Sequence, residues 1–138
     1  MSVTMNPYLN FEGNTREAME FYHRVFGGEL TISTFGEYPD MATPDEYKDK
    51  VMHAQLNAED ITLMASEGQP GKPVNFGDNV SISLSGDDTE RLTRYFNELS
   101  EGGELIMPLE QQVWGDSFGM FKDKFGVYWL VNIAGAQQ

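Results

Sequence analysis

His53 and Gln55 stand at alternate positions of residues 51–58, so in an extended strand both side chains leave the same face. Imidazole is the usual proton shuttle near neutral pH, and a neighbouring carboxamide can orient the ring or a ligand. A histidine so placed acts either as a general base or as a hydrogen-bonding group that orders its sheet. Base catalysis needs a partner, and no strong carboxylate partner is evident on the same face. His23, between Tyr22 and Arg24 on a helix flank, reads as a solvated surface residue. Trp114 opens a turn in which Gly115 and Gly119 let the backbone bend or approach a ligand closely. Its indole belongs either to a pocket rim or to ordinary surface. Asp116 in that turn is either a base or a carboxylate bonded to its own backbone. None of the 138 residues is cysteine, which excludes a thiolate nucleophile, a disulfide framework and Cys-ligated zinc.

The elements that position these groups repeat. Asn14 with Glu17 forms a capping-box-like helix start, and Ala18, Phe21, Tyr22 and Val25 recur at helical spacing before Gly27 and Gly28 stop the helix. Asp87 with Glu90, then Leu92, Tyr95, Phe96 and Leu99, then Gly102, Gly103, Glu104 and Leu105 restate that pattern. Each helix is preceded by a short alternating segment, residues 6–11 and 79–85. Each is followed by three strand candidates, 29–35, 51–58 and 61–66 in one case and 104–113, 118–122 and 127–133 in the other. Glu59 and Asp60 make one tight turn and residues 123–126 the other. Residues 36–50, with Pro39 and Pro44, and residues 67–78, with Pro70, Gly71 and Pro73, read as loops. The chain is therefore expected to be one domain of two modules, residues 1–66 and 79–138, joined by the linker 67–78.

Parity assigns the faces. Leu9 and Phe11, then Met52, Ala54 and Leu56, then Val80, Ile82 and Leu84 belong under the helices, and Trp129 alternates with Val127 and Val131 as core. The opposite face collects Asn6, Tyr8 and Asn10, then His53, Gln55 and Asn57, then Asn79, Ser81 and Ser83, with Met64, Tyr128, Leu130 and Asn132. Neutral polar and aromatic groups in that density suit a neutral or mildly polar small ligand, and the adaptable thioether of Met64 suits an apolar or aromatic body. Nine Lys and Arg against 22 Asp and Glu give a formal charge of -13, which disfavours nucleic acid and anionic lipid as partners. Residues 1–8 have no signal-peptide pattern, and no run of about 18 apolar residues occurs, so a non-membrane, cytoplasmic protein is expected.

The paired modules, the helix ending in Phe26, Gly27, Gly28, Glu29 and Leu30, the strand Val51, Met52, His53 and Ala54, and the run from Asp123 to Trp129 resemble the vicinal-oxygen-chelate superfamily of glyoxalases and bleomycin-resistance proteins. Within it the chain is most similar to the PhnB-like branch, along essentially its whole length. The resemblance implies an α+β fold: two βαβββ modules forming a cupped, partly open mixed-sheet barrel with helices on the outer face, commonly as a homodimer. Branch members also carry a demethylubiquinone methyltransferase label. This chain has no glycine-rich strand-to-helix loop of the kind that holds a nucleoside cofactor.

Enzymes of the superfamily bind a divalent metal through His or Glu on the first and last strand of each module. Those positions fall near Asn6, Met64, Asn79 and Leu130, a set without anionic or imidazole donors. The expectation is thus a metal-free, cofactor-free small-molecule-binding protein, with the ligand held in the cup by Tyr8, Asn10, His53, Gln55, Met64, Trp114 and Tyr128. The alternatives are a metal-dependent lyase or dioxygenase, or a metal-free isomerase with His53 as its catalytic base.

Overall fold

A computed structural model describes residues 2–38, 44–59, 61–67 and 73–135. The chain divides into two compact units, Met1–Asn75 and Phe76–Gln138, each built on the same plan. In the first, β1 (Tyr8–Asn10) leads to α1 (Thr15–Phe26), then β2 (Glu29–Thr34), β3 (Val51–Asn57) and β4 (Thr62–Ser66). In the second, β5 (Ile82–Gly86) leads to α2 (Thr89–Ser100), then β6 (Glu104–Gln111), β7 (Ser117–Lys122) and β8 (Tyr128–Ile133). The sheet orders are β1-β4-β3-β2 and β5-β8-β7-β6, so each module lays its first strand parallel to its last. The remaining pairs are antiparallel hairpins. The fold is α+β, with two open mixed sheets. Among the described residues no helix is long and apolar enough to cross a membrane.

The helices form where the periodicity placed them, and each buries the predicted stripe. Ala18, Phe21, Tyr22 and Val25 of α1 are buried together with Met19 and Phe26, and Leu92, Tyr95, Phe96 and Leu99 of α2 are buried in their own unit. The two N-termini differ. In α2 the cap is Asp88 and not the expected Asp87, accepting from the Arg91 amide at 3.1 Å, whereas the Asn14 side chain makes no capping bond, so the expected capping box is absent from α1. The glycines after the helices do equivalent work. A Cβ on Gly28 would strike the Asn57 carbonyl at the end of β3, and one on Gly103 would strike the Lys122 carbonyl at the end of β7. Each glycine lets β2 or β6 start pressed against its neighbour.

The second hairpin is locked by a side chain. Asp123 is only 2% exposed. One of its carboxylate oxygens accepts from the Phe125 and Val127 amides at 2.9 and 3.0 Å, and the other from the Trp129 indole at 2.8 Å. Trp129 is fully buried, as its alternation with Val131 predicts.

Four of the apolar residues assigned beneath the helices are not fully buried: Leu9, Met52 and Ile82 are half-buried and Val80 is exposed. Met52 is half-buried while Val51 is buried, because the register slips between Ser33 and Thr34: Ser33 pairs with His53 and Thr34 with Val51. Met52 is thus the extra residue of a β-bulge. Val80 is 72% exposed, because β5 begins only at Ile82. The strand expected at 104–113 ends at Gln111, leaving Val113 exposed. Asp60, Pro39, Pro70 and Gly71 of the expected turn and loops lie outside the described residues.

Candidate functional site

In the first unit, α1 covers one face of the sheet and the other face carries the candidate residues. Ala54 and Leu56 of β3, with Leu63 and Ala65 of β4, are buried on the helix side. Their neighbours in sequence, His53, Gln55 and Met64, are half-buried on the opposite side. Register then fixes a row across all four strands: Tyr8 opposite Met64, Met64 opposite Gln55, and Gln55 opposite Thr31. A second row runs beside it, with Asn10 opposite Ser66 and Ser33 opposite His53. The bulge at Met52 adjoins His53, which is where a strand would be bent to aim a side chain.

Hydrogen bonds join these groups in series. The Tyr8 hydroxyl lies 3.1 Å from His53 Nδ1, and the two rings are tilted at 5.7 Å between centroids. His53 Nε2 lies 3.5 Å from Gln55 Oε1, and Gln55 Nε2 donates to Asn57 Oδ1 at 3.1 Å. To one side Ser66 Oγ donates to Asn10 Oδ1 at 3.4 Å. Tyr8, Asn10, His53, Gln55 and Met64 are therefore brought onto one surface. The partners of His53 are a phenol and a carboxamide, so the series contains no carboxylate to drive base chemistry.

Trp114 and Tyr128 belong to the second unit and stand at different ends of its sheet. Tyr128 pairs with Lys122 at the start of β8, and the Lys122 ammonium lies 5.8 Å from the centre of its ring. A hollow of about 340 Å³ lined by Phe76, Asp78, Lys122, Gly126 and Tyr128 opens there. Trp114 is 61% exposed and meets Phe118 edge-on at 6.3 Å, and Phe118 pairs with Asn132 near the end of β8. Leu130 and Met120 pair between those ends, and Met107 of β6 pairs with Met120. This apolar surface of Met107, Phe118, Met120 and Leu130 was only partly anticipated. The alternation of Phe118 and Met120 with Gly119 and Phe121 was the signal that could have found the rest.

Asp116 latches the end of the sheet. Its carboxylate accepts from Asn132 Nδ2 at 3.0 Å and from the Gly135 amide at 2.8 Å. These bonds, the Asn132 one foremost, hold its carboxyl below the usual carboxylate range. The bonding reaches across the sheet and not merely to its own turn. His23 is also engaged: its Nε2 donates to the Gly28 carbonyl at 3.0 Å, tying the end of α1 to the start of β2.

The metal positions implied by resemblance do not make a site. Met64 sits between Tyr8 and Gln55, and Leu130 pairs with Met120 and Ser83. Among the described residues no group of three or more His, Cys, Asp or Glu side chains is placed to hold an ion. Carboxamide, thioether and aliphatic side chains do not fit a divalent transition metal.

The family model described as 3-demethylubiquinone-9 3-methyltransferase matches residues 3–132. The chain is 45% identical to protein PA1353 from Pseudomonas aeruginosa, covering 96% of this chain and 98% of that one, with a TM-score of 0.86. It is 26% identical to a putative 3-demethylubiquinone-9 3-methyltransferase, PhnB protein, from Bacillus cereus, over 96% of this chain and all of the other, with a TM-score of 0.75. The fosfomycin resistance protein FosX from Listeria monocytogenes, at 12% identity, covers 99% of this chain and 94% of its own with a TM-score of 0.59, a likeness of fold alone.

Proposed function

The chain belongs to the family described as 3-demethylubiquinone-9 3-methyltransferase, and on that premise we propose that it is a small-molecule-binding protein whose ligand is held, without a metal, on the helix-free face of the first sheet. Its fold is PhnB-like and of the vicinal-oxygen-chelate type. The carrying observation is the hydrogen-bonded series Tyr8, His53, Gln55 and Asn57 on one face, whose members are joined to one another and not to a charged side chain. Such a surface recognises uncharged polar groups, while the Tyr8 ring and Met64 give a ligand apolar contact. Asn10 belongs to the same binding set.

Both modules act as one domain in this reading, in the cytoplasm and as a homodimer. Dimerisation is supported by the edge strand β6, whose Leu105, Ile106 and Met107 are exposed. Native mass spectrometry of protein purified from its own host without chelators tests the whole proposal. Dimers that release a small organic molecule and no metal are expected. Near-stoichiometric nickel, zinc, manganese or iron would overturn it in favour of a lyase or dioxygenase.

A further inference from the structure

The hydrogen-bond series on the first sheet has a direction. Gln55 Nε2 donates to Asn57 Oδ1 at 3.1 Å, which turns Gln55 Oε1 toward His53 Nε2, 3.5 Å away. A carboxamide oxygen can only accept, so with Gln55 in this orientation a ring that holds one proton carries it on Nε2. Nδ1 is then a bare acceptor. The group facing it at 3.1 Å is the Tyr8 hydroxyl, which can donate.

We infer that the Tyr8 proton is committed to His53, so that Tyr8 presents its oxygen to the open face as a hydrogen-bond acceptor and selects ligands that bring a hydroxyl or amine proton. Tyr8 is 46% exposed, which leaves its oxygen within reach of a ligand. Met64 is the register partner of both Tyr8 and Gln55 and forms an apolar step between them. The class that fits is an uncharged apolar or aromatic body carrying a donor at its Tyr8 end. Tyr8 is the specificity-determining residue, and His53 is a positioning residue that fixes where the phenolic proton points.

This assignment rests on the binding face proposed above, so its test has one arm that needs no ligand. Long-range proton–nitrogen correlation spectra of the full chain at pH 8, with His23→Gln used to assign the two rings, report the His53 tautomer. The Nε2-protonated form is expected, and the Nδ1-protonated form would overturn the inference. The second arm titrates the chain with phenol and with anisole, which differ by the donor proton. Phenol is expected to bind about tenfold more tightly than anisole, the worth of one hydrogen bond. The preference should vanish in Tyr8→Phe while anisole binding persists. Equal affinity in the unaltered chain would overturn the selection. If neither probe bound while the Nε2 tautomer held, the proton arrangement would stand and the ligand-binding face would fall.

Discussion

The two units share a framework and differ in what they turn outward. Each lays a helix across one face of a four-stranded sheet of the same strand order, and each uses a glycine to press its second strand against a neighbour. The helix-free face of the first unit is polar and internally hydrogen-bonded, through Tyr8, His53, Gln55 and Asn57. That of the second is apolar at its centre, through Met107, Met120 and Leu130, with polar groups pinned at its ends. The helix side is constrained by packing and has little freedom. The open side is less constrained, and there the modules differ in chemistry: the first presents polar groups and the second apolar ones.

The largest effect that separates the units is expected at Asp123. Asp123→Ala strands two amides and the Trp129 indole in a buried turn, and urea unfolding should register a loss of about 3 kcal/mol. The first unit closes its β3–β4 turn through a backbone bond, Ala58 amide to Ile61 carbonyl at 2.8 Å. Gly28→Ala and Gly103→Ala come next and test the shared part of the plan. Each sets a methyl against a neighbouring strand carbonyl, and each should cost about 2 kcal/mol by the same measurement. A neutral result at one site alone would break the equivalence of the modules.

A smaller contrast concerns the open faces. Leu130→Asn should cost about 1 kcal/mol of stability, whereas Gln55→Ala should cost less than about 0.5 kcal/mol, because Gln55 is a half-buried polar group bonded to the exposed Asn57. The smallest effect is at Asp116. Its folded carboxyl is held below the ordinary range by Asn132 and Gly135, so it adds stability above the unfolded value, and that stability is lost as pH falls through the depressed one. Melting temperature should therefore decline less steeply below about pH 4 in Asp116→Asn than in the unaltered chain.

Sequence periodicity carried most of the framework, because burying one stripe per helix and one side per strand leaves a strong imprint. The stripe from Ala18 to Val25 and the alternation from Val127 to Val131 were legible for that reason. Parity likewise brought Tyr8, His53, Gln55 and Met64 to one face. It failed where the backbone departs from two-residue repetition. The bulge at Met52 buried Val51 instead, and the short β5 left Val80 outside. Nor could it foresee long-range polar partners. The reach of Asp116 to Asn132 and Gly135, and of His23 to Gly28, depends on loop geometry that neighbouring residues do not encode. In sequence Asp123 reads as an ordinary turn residue, because nothing in the alternation that buries Trp129 reveals that its indole N–H needs an acceptor six residues back.

The central claim is that polar recognition belongs to the open face of the first unit. Screening small aromatic alcohols and amines against labelled protein, while following the Met64 methyl, the His53 ring and the Gln55 side-chain amide, tests it most directly. Saturable shifts of all three with a common midpoint are the expected result. Binding that left those three signals unmoved and shifted only groups elsewhere would contradict the account.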